Sequence, residues 1–447
     1  MAEWLDAQLS DLIDIKHGFA FKGEFFTNEP TGDVLVTPGN FAIGGGFQLN
    51  KPKFYNGPVP KEYVLNPGDV IVTMTDLSKQ ADTLGFSAVV PAIKPRLLHN
   101  QRIGRVIAKD ASANLGFIAW LMRTRPYRHE IVGGATGSTV KHTSPGRILA
   151  HRFKLPSPTE QQDIVDVLQP LEDKIELNRR MSETLEGMAQ AIFRDWFVDF
   201  GPTRRKAAGE ADPVAIMGGL TPDPARAAQL AALFPAALGG DGLPVGWSKE
   251  PLLNQAHWIN GAAYKNMHFV PKGMGLPIVK IVELKAGVSN KTKFTNTDLG
   301  QKYRINDGEL LFSWSGNPDT SIDAFIWTGG EAWLNQHIFA VRENGKMDLP
   351  TLHTMLKWLM PQFAELARNK QTTGLGHVTK DDMKRLLVTE PPKPIAAAFS
   401  SFIGAIFERI VATLYENRTL AETRDYLLPR LMSGAVRVAP AVDAARL

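Results

Sequence analysis

The chain has no cysteine among its 447 residues. That excludes disulfides, thiolate nucleophiles, iron–sulfur clusters and cysteine-based zinc sites. No run approaches the roughly 18 consecutive apolar residues of a membrane span. Met1-Ala2-Glu3-Trp4-Leu5-Asp6 lacks the basic and apolar regions of a secretory signal, so a cytoplasmic location with no membrane partner is expected. The ten histidines have no HExxH spacing, and no metal site is expected. There is no GxxxxGK[ST] phosphate loop, no GxSxG elbow and no strand-linked GxGxxG. The Asn/Asp-Pro-Pro-aromatic tetrad that would hold a target amine for methylation is also missing, Glu390-Pro391-Pro392-Lys393 having the wrong residues at both ends. Glu283-Leu284-Lys285 is too short a match to carry a nuclease. Catalysis by this chain is therefore not expected, although a duplicated hydrolase of unfamiliar type stays open as an alternative.

What the chain does have is an internal repeat. Ile15-Lys16-His17-Gly18-Phe19-Ala20-Phe21-Lys22 returns as Trp258-Ile259-Asn260-Gly261-Ala262-Ala263-Tyr264-Lys265, Gly18 to Gly261 being an offset of 243. Asn66-Pro67-Gly68-Asp69 returns as Asn306-Asp307-Gly308-Glu309, and Asn100-Gln101-Arg102 as Asn335-Gln336-His337. Thr136-Gly137, Trp4 and Asn178-Arg179 recur as Thr373-Gly374, Trp247 and Asn417-Arg418. Colinear landmarks at nearly constant offset indicate a duplicated architecture.

Each half ends in a helical seam. Ile164, Leu168, Leu171, Ile175, Asn178, Leu185, Ala189, Ile192 and Trp196 follow steps of four and three, with Ser182 filling the gap after Asn178. Ile403, Phe407, Ile410, Leu414, Asn417, Ala421, Leu428 and Leu431 do the same, with Arg424 interrupting. Ser157-Pro158-Thr159-Glu160 is a capping box with proline at the first helical position, whereas Pro394 gives the second helix a weaker start. Pro170 is expected to kink the first helix. Each seam has to bury itself, and the other seam is the nearest partner. Asn178 and Asn417, polar at equivalent seam positions, are candidates for fixing helix register.

The remainder of each half is mixed. Short β-like runs at Asp69–Thr73, Phe86–Val90 and Leu310–Trp314 accompany helical candidates at Leu115–Arg123 and Leu349–Arg368. The expected fold class is α+β: two globular mixed domains related by duplication, with two long helices forming an intramolecular, antiparallel coiled coil. The expected order is domain 1 at 1–156, first helix 157–200, linker 201–245 with some local helix around an amphipathic patch at Ala225–Leu233, domain 2 at 246–390, second helix 391–434 and tail 435–447.

A net charge of +4 leans towards a polyanion. Candidate DNA-binding residues, selected by donor chemistry and repeat position, are Lys51, Lys53, Lys61, Arg102, Ser138, Thr139, Lys141 and His142 in the first half. In the second they are Lys265, Lys291, Lys293, His337, Thr373, His377, Thr379 and Lys380. Such donors reach phosphate oxygens or base edges. A scaffold that binds proteins through two similar domains is the other alternative.

Several strings together resemble one family. They are Gly18-Phe19-Ala20-Phe21-Lys22, Gly137-Ser138-Thr139-Val140-Lys141-His142, Pro156-Ser157-Pro158-Thr159-Glu160-Gln161-Gln162 and Phe193-Arg194-Asp195-Trp196-Phe197-Val198-Asp199-Phe200. Leu243-Pro244-Val245-Gly246-Trp247, Thr372–Val378 and Leu427–Gly434 add to them. The chain is similar to the specificity subunits of type I DNA restriction–modification systems. This resemblance implies two target-recognition domains, each reading half of a bipartite double-stranded DNA site, with the helices holding them apart. It further implies two modification subunits that bind S-adenosylmethionine and methylate adenine, and restriction subunits that use ATP and magnesium. This chain itself would bind no cofactor. The opening of the second helix, Pro392-Lys393-Pro394-Ile395-Ala396, departs from the Glu-Gln-Gln pattern of the first.

Overall fold

The computed structural model describes residues 4–49, 52–78, 80–370 and 375–438. They fall into two compact units that do not follow chain order, because each long helix contributes to both. The first unit takes residues up to Lys174 and again from Leu420; the second takes Ile175–Thr419.

In the first unit Val70-Ile71-Val72-Thr73 is buried on both faces, as a continuous apolar run requires. It lies inside an antiparallel sheet ordered Ile13–His17, Ile103–Ala108, Val70–Thr73, Ser87–Val89. A second sheet runs Phe26–Thr27, Lys53–Tyr55, Asp33–Val36, Arg96–His99, Val64–Leu65, with one parallel pair between Asp33–Val36 and Arg96–His99. Val34, Leu97, Ile71, Ala88 and Ile103 pack in one core joining the two sheets. Helices Leu115–Leu121 and Arg125–Gly133 cover the first sheet through Phe117, Ile118, Trp120, Tyr127 and Ile131.

The second unit repeats this plan. Its antiparallel sheet is ordered His257–Asn260, Ile338–Arg342, Leu310–Ser313, Asp323–Ile326, each strand the repeat equivalent of its counterpart. The companion sheet runs Phe294–Thr295, Leu276–Val279, Ala332–Leu334, Arg304–Ile305 and keeps the single parallel pair. One long helix, Leu349–Asn369, capped by Asp348, stands where the first unit has two.

The two seams are single helices, Pro158–Phe197 and Lys393–Met432, of 40 residues each. The capping box forms, Ser157 and Glu160 exchanging backbone hydrogen bonds. Pro170 does not end the first helix, which continues through it. In the second unit the helices pair antiparallel. Asn178 Nδ2 donates to Asn417 Oδ1 at 3.0 Å and Glu416 Oε2 at 2.8 Å, the Ser182 and Thr413 hydroxyls are 2.7 Å apart, and the Trp196 and Phe399 rings are 5.6 Å apart. The numbers of Asn178 and Asn417, Ser182 and Thr413, and Trp196 and Phe399 each add to 595, so Asn178 meets its own repeat equivalent. In the first unit Arg424 interrupts the seam. There Arg424 donates to Glu172 Oε2 at 2.7 Å and Arg123 donates to Glu172 Oε1 at 3.1 Å. Burial works against the Glu172 charge, but Arg123 and Arg424 outweigh it and hold its pKa below the usual carboxylate value.

The second long helix holds a window with mean hydropathy 1.6 and is long and apolar enough to cross a membrane by composition alone. Ser400, Ser401 and Glu408 interrupt its apolar residues, so no run of about 18 forms, and Ile395, Phe399, Ile403 and Phe407 lie in the main core of the second unit.

The segment expected as a linker is folded. Helices Gly201–Ala207, Pro213–Ile216 and Pro224–Leu233 follow one another, the last two started by Asp212-Pro213 and Asp223-Pro224 caps. Phe200, Phe234 and Trp247 bring the segment into the core around Trp196. Arg205 grips Asp195 through two hydrogen bonds of 2.8 and 2.9 Å, and Lys206 Nζ donates to the carbonyls of Ala231 and Phe234. Its alanine, glycine and proline content imitates a linker, while three aromatic residues supply the packing.

Candidate nucleic-acid interface

Each unit extends its antiparallel sheet into a short two-stranded ribbon, and the two ribbons are built alike. In the first, Thr75–Asp76 pairs with Lys141–His142. Met74, just before it, donates its N–H to the Arg102 carbonyl at 3.0 Å and accepts from the Thr143 N–H at 3.0 Å. In the second, Ser315–Gly316 pairs with Gly376–His377. Trp314 donates to the His337 carbonyl at 3.4 Å and accepts from Val378 N–H at 2.9 Å. Met74, Arg102 and Thr143 are the repeat equivalents of Trp314, His337 and Val378. Identical backbone bonds thus hold different side chains.

The Asn-Gln turn is seated by a glycine in both units. Phe19 N–H donates to the His99 carbonyl at 2.8 Å, and Ala262 N–H to the Leu334 carbonyl at 2.9 Å. The preceding Gly18 and Gly261 run so close to the turn that a Cβ would lie 2.1 Å from Asn100 O and 2.2 Å from Asn335 O. That close approach explains glycine at both landmarks.

Around the first ribbon, His142 Nδ1 lies 3.2 Å from Thr75 Oγ1, and Lys141 Nζ donates to the Gly137 carbonyl at 2.8 Å. Arg102, Ser138, Thr139 and His142 are exposed beside it. Asp76 organises the loop that follows, accepting from Ser78 N–H at 2.6 Å and from the N–H and hydroxyl of Thr83 at 2.5 and 2.6 Å. Burial opposes its charge, yet these bonds prevail and lower its pKa. Around the second ribbon, the Trp314 ring centroid is 5.6 Å from His337, 5.8 Å from His377 and 5.9 Å from Phe339. The indole N–H is fixed on Asn260 Oδ1 at 2.9 Å. Burial and the neighbouring His377 lower the pKa of His337. Lys380 is exposed with Nζ 5.7 Å from the Phe339 ring centre.

The structure therefore gathers Arg102, Ser138, Thr139, Lys141 and His142 at one ribbon and His337, His377 and Lys380 at the other. Thr379 stands beside them, exposed, and its hydroxyl caps helix Lys380–Arg385 and bonds Asp382, as a helix start requires. Lys53, Lys61, Lys265, Lys291 and Lys293 are exposed on or beside the companion sheets instead. Lys51 and Thr373 lie outside the described residues. Sequence reasoning missed Met74, Trp314, Asn260 and Asp76. The offset of 240 that relates Gly68 to Gly308 also relates Met74 to Trp314, and following it along the strand would have found that pair. Among the described residues no group of three or more histidines and carboxylates is placed to hold a metal.

Residues 1–187 match the type I restriction modification DNA specificity domain. The chain is 27% identical over 317 residues to the type I restriction enzyme HindI specificity subunit of Haemophilus influenzae, covering 64% of this chain and 69% of that protein. It is 24% identical to the MjaIX specificity subunit of Methanocaldococcus jannaschii over 79% of this chain and 76% of that one. The crystal structure of a type I restriction–modification S subunit from M. genitalium aligns over 96% of each chain with a TM-score of 0.50 at 13% identity, a likeness of fold. Residues 1–187 thus carry the likeness to that DNA specificity domain, and over most of its length the chain is similar to specificity subunits of type I restriction enzymes.

Proposed function

We propose that this chain selects the DNA target of a type I restriction–modification complex, each recognition domain, 1–156 and 246–390, reading one half of a bipartite site. The observation that carries this reading is the twice-built ribbon, whose backbone bonds are constant while the side chains it presents differ. Two readers on one plan suit a target in two unlike halves. The helices 157–200 and 391–434 set the number of unspecified base pairs between the halves. Two modification subunits, bearing S-adenosylmethionine, methylate adenine in each half, and restriction subunits use ATP and magnesium to cleave. The complex works in the cytoplasm, where the DNA is. Asn178 and Asn417 fix helix register in this reading.

The test is methylation-sensitive long-read sequencing of DNA from a methylation-free host expressing this chain with its modification subunit, and again without this chain. A bipartite motif with methylated adenine in both halves, present only with this chain, is expected. An assembled complex that leaves no such motif would favour a protein-binding scaffold.

A further inference from the structure

The second ribbon holds two imidazoles against one indole, and their buried nitrogens are unusual. Nδ1 of His337 and Nδ1 of His377 are both buried, and neither has a hydrogen-bond partner among the described residues. Both rings are otherwise only half-buried. A buried nitrogen without a partner is tolerated better as a bare acceptor than as an orphaned N–H. In a neutral imidazole one nitrogen carries the proton and the other does not. The proton of His377 is therefore placed on Nε2, the nitrogen away from the buried edge. That assignment is made for His377 alone, since Nε2 of His337 faces the Gln336 side-chain nitrogen at 3.3 Å, a donor that sets its tautomer separately. The Trp314 ring, its indole N–H bonded to Asn260, lies against both rings. His377 is thus left as a positioned donor with a fixed tautomer.

We propose that His377 is a base-reading residue of the second recognition domain, its Nε2–H donating to an acceptor on a base edge, a purine N7 or guanine O6. His337 and Trp314 are positioning residues behind it. The cytosine amino group, a donor, would meet this N–H donor to donor and be rejected. The first ribbon carries no copy of this arrangement: His142 has its Nδ1 on the Thr75 hydroxyl, and Met74 replaces the indole. The discrimination made by His377 accordingly belongs to one half-site only. This inference rests on the DNA-selecting reading above and adds a residue and a base class to it.

The experiment is the same methylation sequencing on the assembled complex carrying His377→Phe, which keeps a ring against Trp314 but has no donor, with His377→Ala beside it and melting temperatures measured for both. The expected result is a motif degenerate at one position of one half, discrimination there falling by about tenfold, with the other half unchanged. A motif unchanged in both halves would overturn the proposal. So would a uniform fall in methylation at an unchanged motif, which is what a phosphate contact produces. A wild-type complex that leaves no bipartite motif would bring down the DNA-selecting reading itself, and this proposal with it.

Discussion

Gly18 and Gly261 show what one absent methyl group permits. Their backbones touch the Asn100 and Asn335 carbonyls, so alanine at either position must push the Asn-Gln turn away. Gly18→Ala or Gly261→Ala is expected to cost about 2 kcal/mol, in the range of overpacked sites, measured by urea unfolding. Gly23→Ala, where a Cβ meets nothing within 4 Å, should stay within about 0.5 kcal/mol. The sequence displayed both glycines as repeat landmarks, but the reason for them is a contact with a turn some 80 residues away, which no local pattern encodes. Buried histidines give a second test. Burial pushes His99 down to about 4 and His353 down to about 3. Each folded-state value lies below the ordinary 6.5, so the unfolded chain takes up protons first as the pH falls. Stability is expected to be full above pH 6.5 and to decline from there towards pH 4. His353→Phe, whose ring can rest on Phe407 as the imidazole does, should flatten that decline in a series of unfolding curves.

Among the elements, the long helices were the most legible. Their heptad spacing, the Ser157 capping box and the equivalence of Asn178 with Asn417 all read from sequence, because helix periodicity and caps are local. The break at Arg424 looked like a flaw in the seam and is a three-part ion cluster with Glu172 and Arg123. Arg123 comes from the loop after helix Leu115–Leu121, and its Nε donates to the Gly44 carbonyl at 2.9 Å, inside three successive glycines with φ between 93° and 96°. Glu172→Gln takes the carboxylate from the buried Arg123 and leaves the half-buried Arg424 with Asp425 alone, 2.8 Å away, and should cost about 3 kcal/mol in unfolding experiments. Because the native pKa of Glu172 is lowered, the contribution of this cluster is present above the unfolded carboxylate value near 4.5 and lost as the pH falls below it. The variant should therefore be less acid-sensitive than the wild type. Such a cluster is invisible to periodicity, since its members are separated by 49 and 252 residues. Within 201–246 the amphipathic patch at Ala225–Leu233 pointed to the last helix, Pro224–Leu233, but not to the packing of the segment, which comes from Phe234 and Trp247 rather than from a pattern of its own.

At the scale of the whole molecule the predictions concern DNA. Lys141→Ala and Lys380→Ala are expected to weaken binding and each to lower the salt slope by about one if these residues meet phosphates, read from affinity against salt concentration. An unchanged slope for both would reject that role. Helix length is the other variable. Arg179–Leu185 and Ile410–Glu416 are facing heptads, and removing both leaves Asn178 opposite Asn417 and Glu186 opposite Arg409. This double deletion should shorten the unspecified spacer by about three base pairs, since seven helical residues span about 10.5 Å and a base pair about 3.4 Å. An unchanged spacer would count against the helices setting it. The duplication and fold class were open to sequence reading because they depend on order and period. The make-up of the two ribbons was not, because it depends on which loops a sheet brings together.

The meeting of Asn178 with its own counterpart carries a consequence for inheritance. A single inserted residue turns everything beyond it by about 100° and drives polar Asn, Ser and Thr layers into apolar ones. Lengths that keep the pairing are separated by whole heptads, matched on both helices. A lineage of such proteins cannot drift smoothly through intermediate spacings; it must jump, two compensating changes at a time, between discrete rungs.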